Sequence, residues 1–320
     1  MGVKSHVYYS SMKYMTLLTQ VSRNQVNELN TLYKLRRYIM ATKWNLLFPE
    51  GKSKALTFSY DDGLVHDRKL VELFNTYHVK GTFNLNSGEF GRVEVGNVNG
   101  VKQDNSTVTA EEVQQLYKGH EVASHTVTHP SLPGLDTSVM AYEVITDRKN
   151  LEDLTGYIVN GFAYPYGSYN DTVKSVLEIC GIQYARTVNS THQFELPTNP
   201  LEWNPTCHHN DDKLMDLAKD FCEKEDIYRR LRLFYIWGHS FEFARNNDWE
   251  TMETLLGYMQ PYLSDIWVAT NNDIITYYNA FKQAKYYADG STIINTSGID
   301  LYFEGKNGPI VVKRFSELKI

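Results

Sequence analysis

At 320 residues, with 42% hydrophobic and 22% charged side chains, the chain has the composition of a globular protein with a sizeable core. A formal net charge of -6 and a pI near 5.9 argue against nucleic acid or an anionic membrane as a general partner, since either favours a basic surface. No apolar run approaches the roughly 20 residues that span a bilayer, and Cys180, Cys207 and Cys222 show neither paired disulfide spacing nor a C-x-x-C metal motif.

Residues 1–40 are polar and Tyr-rich without a clear period, and Met15-Thr16-Leu17-Leu18 is too short and too polar around it for a secretory core. They read as a poorly ordered extension of a cytoplasmic protein whose main domain covers 41–285. From there strand and helix patterns alternate. A strand over 55–60 precedes a helix over 67–77 with Leu70, Val71, Leu73 and Phe74 on one side, and a second strand covers 81–86. Thr109 and Glu112 form a capping-box pattern that opens the next helix, and a strand over 121–124 follows it. Helices are then expected over 138–154, 171–180, 213–225, 249–259 and 274–284, interleaved with strands over 158–164, 183–188, 231–237 and 266–269. About seven βα units in one run, with no G-x-G-x-x-G turn after the first strand, favour a closed or nearly closed parallel α/β barrel, with an open doubly wound sheet as the alternative. Residues 286–320 carry two or three short strand patterns between Gly-containing turns and read as a small β appendage.

Chemistry enters at Asp61-Asp62, between the first strand and Gly63. Adjacent carboxylates repel each other at the mouth of a buried strand, so a cation, most simply a metal ion, should stabilise one of them. His125 and His129 supply two imidazoles four residues apart. Asp62, His125 and His129 thus make a two-His, one-carboxylate set with open positions for water, and Asp61 is left to act on that water. Tyr166 follows the fourth strand, Arg186 lies near the end of the fifth, and His239 follows the sixth major strand. All of these fall on one rim of a barrel, where loops from every strand converge.

The ordered segments Thr57-Phe58-Ser59-Tyr60-Asp61-Asp62-Gly63, His125-Thr126-Val127-Thr128-His129, Ala163-Tyr164-Pro165-Tyr166-Gly167 and Ile236-Trp237-Gly238-His239 resemble the motifs of the polysaccharide deacetylases, carbohydrate esterase family 4. The resemblance covers roughly 54–270. It implies a distorted (β/α)7 barrel and metal-dependent removal of acetyl groups from N- or O-acetylated sugars. By motif it makes Asp61 the general base, Asp62, His125 and His129 the ligands of a Zn²⁺-like divalent ion, and His239 the general acid, with the backbone N–H of Tyr166 toward the oxyanion. Such an ion lowers the pKa of its water toward ~7 and polarises the acetyl carbonyl. A histidine suits protonation of the departing amine near neutrality.

Two departures from the family pattern matter. Ala163 stands where an Arg often pairs with the base, and Arg186, on the neighbouring strand, is expected to replace it. The family's fifth-strand Asp-Trp is also missing. Among further residues, Cys207-His208-His209 is rich in ligand types, but adjacent histidines point apart, so His208 is read as a group for substrate or for the water rather than a second metal site. Trp203, Trp237 and Trp249 are candidates for a sugar-stacking wall, Trp237 being better explained as core. Glu242 is read as orienting His239 or binding a sugar hydroxyl. An acetylated saccharide is therefore the expected substrate. An O-acetyl esterase, a small-amide hydrolase on the same scaffold and a silent carbohydrate-binding relative remain the other readings.

Overall fold

The computed structural model describes residues 44–98, 101–225 and 230–319; the extension read over 1–40 lies outside them. In chain order the strands are β1 (Leu46–Leu47), β2 (Lys54–Asp61), β3 (Gly81–Leu85), β4 (Val95–Val98), β5 (Val101–Asp104), β6 (Glu121–Ser124), β7 (Gly161–Ala163), β8 (Tyr184–Arg186), β9 (Cys207–His208), β10 (Arg232–Gly238), β11 (Ile266–Val268), β12 (Lys285–Tyr286), β13 (Thr292–Asn295), β14 (Leu301–Phe303), β15 (Ile310–Val312) and β16 (Ser316–Lys319). No helix among the described residues is long and apolar enough to cross a membrane.

The eight-stranded sheet runs β8-β7-β6-β3-β2-β10-β9, with β11 beside β2, and its pairings are parallel. Every residue of β2 is buried, as a parallel strand covered on both faces requires. One side of β2 pairs with β10 along Lys54–Tyr60. The other side is shared: Lys54, Ala55 and Leu56 pair with β11, and Phe58 to Asp61 pair with β3. This splaying distorts the barrel.

Closure comes from a segment with almost no regular structure. The Trp203 N–H donates to the Ala185 carbonyl and the Thr187 N–H to the Trp203 carbonyl, while three and six residues on, the Thr206 and His209 N–H groups donate to the Tyr235 and Trp237 carbonyls of β10. The stretch 203–209 therefore bridges the two open edges, and the alternative of an open sheet is set aside. Side chains alternate along β2 as the pleat dictates. Leu56, Phe58 and Tyr60 pack with Leu70, Val71 and Phe74 of helix Asp67–Thr76. Ser59 and Asp61 instead join Asn84 of β3 in hydrogen bonds, so the polar row inside the barrel ends at the candidate base.

The capping box forms as read, the Thr109 N–H donating to Glu112 at 2.9 Å. Elements that were not expected include β1, β9, the hairpin β4–β5, and helix Ser240–Asn246, whose cap is His239 rather than a Ser or Thr. In the C-terminal region the five strands β12 to β16 exceed the two or three expected. They form two small antiparallel sheets, one of which recruits β1. Their Ile293, Leu301, Phe303 and Val312 share an apolar cluster with Ala55 and Leu233, near the starts of β2 and β10. They thus cover the end of the barrel opposite Asp61.

Candidate active site

Asp62 leaves β2 in a left-handed conformation (φ 77°), its N–H held by the Asn84 carbonyl at 3.0 Å. His125 follows β6, and its Nδ1 lies 2.8 Å from the Ala163 carbonyl. A carbonyl only accepts, so Nδ1 carries the hydrogen and Nε2 presents a lone pair. That Nε2 is 3.7 Å from Asp62 Oδ1 and 3.1 Å from His129 Nε2, which is itself 3.6 Å from Asp62 Oδ1. Burial pushes His125 down to about 4, partly offset by Asp61 and Asp62, so the ring is neutral at pH 7. A neutral imidazole lone pair, a second imidazole and a carboxylate, with donor atoms within 4.8 Å of one another, fit a divalent cation.

The loop that carries both histidines is fastened by two acids of helix Thr137–Thr155. Asp147 accepts the Ser124 hydroxyl (2.6 Å) and the His125 N–H (3.2 Å), and Glu143 accepts the Thr128 N–H (2.9 Å) and hydroxyl (2.7 Å). Asn86 donates to the His125 and Thr126 carbonyls. Asp62, Thr126, His129 and Tyr166 all have φ between 57° and 77°. Left-handed backbone costs a non-glycine residue roughly 1–2 kcal/mol, so these turns persist because the surrounding bonds over-determine them.

Asp61 is buried, with both oxygens occupied. Oδ1 accepts Asn84 Nδ2 at 2.8 Å, and Oδ2 accepts the Arg186 guanidinium. Arg186, wholly buried, lies 4.3 Å over the Trp237 ring and donates to the Thr187 carbonyl at 3.1 Å. Burial pushes the Asp61 carboxyl up, but Arg186, His125 and His239 together outweigh it and hold the group below its ordinary value. On the far side His239 Nε2 stands 3.9 Å from Asp61 Oδ2.

A cleft of about 400 Å³ opens over Asp62 and His129, with Asn86, Arg92, Tyr166 and Phe241 in its wall. Tyr166 is 69% exposed there, its ring edge-on to His129 at 4.6 Å. The three residues read as substrate-binding do not line this cleft. Trp203 is 1% exposed and packs between Tyr184 and Tyr235 where the barrel closes, so no sugar reaches its face. His208 and Glu242 face each other, Nε2 to Oε2 at 3.2 Å, rather than the cleft. Trp237 is buried against Arg186 and His208, and Trp249 packs on Phe243 with Lys69 over its ring. Asn84, Asn86, Glu143 and Asp147 escaped sequence reasoning. Only Glu143 and Asp147 left a signal, two acids four residues apart on the buried face of their helix.

A family model described as polysaccharide deacetylase matches residues 49–185. The chain is 32% identical over 130 residues to the chitin deacetylase of Arthroderma benhamiae, covering 38% of this chain and 30% of that protein. It is 25% identical over 153 residues to the peptidoglycan-N-acetylglucosamine deacetylase PgdA of Listeria monocytogenes, covering 47% and 30%. It thus spans under a third of the length of these relatives. A structure from Mycobacterium smegmatis assigned to the polysaccharide deacetylases shares the fold, with a TM-score of 0.53 at 18% identity over 73% of this chain and 93% of that one. Through residues 49–185, somewhat under half of its length, the chain is similar to the polysaccharide deacetylase family.

Proposed function

We propose that the protein is a metal-dependent carbohydrate deacetylase that hydrolyses the acetyl amide of N-acetylated sugars. One observation carries the reading: a convergent Asp62, His125 and His129 donor set shares its rim with a second carboxylate, Asp61, that Arg186 keeps ionised. A divalent ion on those three residues, most simply Zn²⁺, would polarise the acetyl carbonyl and acidify a water. Asp61, bound on both oxygens, is aimed to take the proton of the attacking water. The Tyr166 N–H, in the turn beside His129, faces the developing oxyanion. His239 then gives its Nε2 proton to the sugar nitrogen as the C–N bond breaks, and acetate and a free amino sugar leave. Relatives named for chitin and for peptidoglycan N-acetylglucosamine point to N-acetylglucosamine units as the first substrates to try.

Purified protein should release acetate from N-acetylglucosamine oligosaccharides, stop when a chelator is added and recover with a divalent metal. Metal analysis should give about one equivalent, and His129→Ala should lose it together with activity. Full metal retention by that variant would refute the ligand set. Turnover confined to acetyl esters would select an O-acetyl esterase on the same residues.

A further inference from the structure

Behind His239, on the side away from Asp61, three imidazoles converge on one carboxylate. Glu242 is the third residue of helix Ser240–Asn246, and its Oε2 accepts the His239 backbone N–H at 3.3 Å. The same oxygen lies 3.2 Å from His208 Nε2 and 3.1 Å from His209 Nε2, while Oε1 faces His239 Nδ1 at 3.4 Å. We propose that His208 and His209 are positioning residues: they clamp Oε2 of Glu242 so that Oε1 is held against Nδ1–H of the His239 imidazolium, which fixes the ring and aims its second proton, Nε2–H, at the leaving nitrogen. The inference rests on the assignment of His239 as the acid.

The tautomers follow from the neighbours. His208 Nδ1 accepts the Asn210 backbone N–H at 3.0 Å, so that nitrogen is unprotonated and Nε2 carries the hydrogen toward Glu242. A ring held in this state offers the carboxylate an N–H, not a lone pair to a cation, which distinguishes this cluster from the one at Asp62. His209 is fully buried, stacked between Tyr60 (5.6 Å, 10°) and Phe243 (4.1 Å, 25°). Its Nδ1 abuts Gly238 so closely that a Cβ there would lie 2.0 Å away, so Gly238 leaves the space the ring occupies. Its Nε2 is then the nitrogen that stands 3.1 Å from the carboxylate, and burial, pushing His209 down to about 4, keeps the ring neutral. Adjacent residues of a strand point to opposite faces, but β9 ends at His208, and the chain turns so that the two rings stand 4.5 Å apart. Burial raises the Glu242 carboxyl, yet the three imidazoles close around it, His208, His209 and His239, outweigh it and hold the group far below its usual range. Burial lowers His239, and the nearby carboxylates of Glu242, Asp61 and Asp62 reverse the direction.

The test exploits leaving groups. A sugar amine must be protonated as it departs, whereas 4-nitrophenolate leaves unaided, so acid positioning matters for the amide and little for the aryl ester. His208→Leu in the metal-loaded enzyme should lower kcat for N-acetylglucosamine oligosaccharides about 10-fold or more, with KM within about twofold, and Glu242→Gln should lower it up to about 100-fold. Losses on 4-nitrophenyl acetate should be at least about fivefold smaller. His208→Gln, whose amide restores an N–H near the Nε2 position, should recover most of the rate. Equal losses on both substrates, unchanged kcat in both His208→Leu and Glu242→Gln, or loss of a second metal equivalent in His208→Leu would overturn the clamp. If the wild-type protein releases no acetate from any acetylated saccharide, the function reading falls first; if it does and these variants behave as it does, the clamp alone falls.

Discussion

Asp61→Asn is expected to keep its metal and lose about 10²-fold or more in kcat on N-acetylated sugars. The carboxylate stands outside the Asp62, His125 and His129 set, so the ion does not depend on it. Asparagine has one acceptor where Asp61 uses two, for Asn84 and for Arg186. Whichever way the amide is turned, one donor loses its partner, and the buried guanidinium loses its counter-charge. Breaking a buried pair costs roughly 3–5 kcal/mol, so a lower Tm should accompany the lost rate. Metal content and thermal unfolding measured on the same sample separate lost chemistry from lost fold. A well-folded, metal-loaded Asp61→Asn with near-normal turnover would mean that the roles of Asp61 and Asp62 are assigned the wrong way round.

The site was legible wherever chemistry is written locally. Asp61-Asp62-Gly63 and the His125 to His129 pair each fit within one turn or loop, and strand-to-rim logic placed both, with Tyr166, Arg186 and His239, at one end of the sheet. Arg186 was readable because a strand's end fixes where a long side chain reaches, and it bonds Asp61 across 125 positions of sequence. Trp203 was misread because aromaticity has no direction: the same ring serves a sugar or a barrel seam, and the hydrogen bonds of 203–209 decide which. Helix Ser240–Asn246 was missed because its cap residue is a histidine, outside the usual Ser, Thr, Asp and Asn. Asn84 could not be found at all, since its partner Asp61 lies 23 residues away and comes near only when the sheet has formed.

Arg186→Ala should lower kcat and move the acidic limb of its pH profile upward while leaving metal content intact. Ala163 cannot supply a charge to the base, and Arg186 supplies it from the adjacent strand, stacked on Trp237 and paired with Asp61. Two opposing effects act on the Asp61 carboxyl: burial raises its pKa, and Arg186 is the largest of the influences that lower it. Removing the guanidinium leaves burial in command, the pKa rises, and less of the base is ionised at any acidic pH. The lost rate should therefore be greatest on the acid side and partly recover as pH rises. Stability follows the same sign. A carboxylate whose folded pKa lies below its unfolded value contributes stability above the unfolded pKa and loses it as pH falls through the folded one. Wild type should thus exceed Arg186→Ala in Tm most clearly near neutrality, and the gap should narrow toward low pH. Arg186→Lys should recover only part of the rate, because an ammonium keeps the charge but neither stacks on Trp237 as a planar group nor bridges Asp61 and the Thr187 carbonyl from one rigid fork. An Arg186→Ala enzyme with unchanged kcat and an unmoved acidic limb would remove Arg186 from the catalytic apparatus and leave the aim of the base to Asn84, its other hydrogen-bond donor among the described residues.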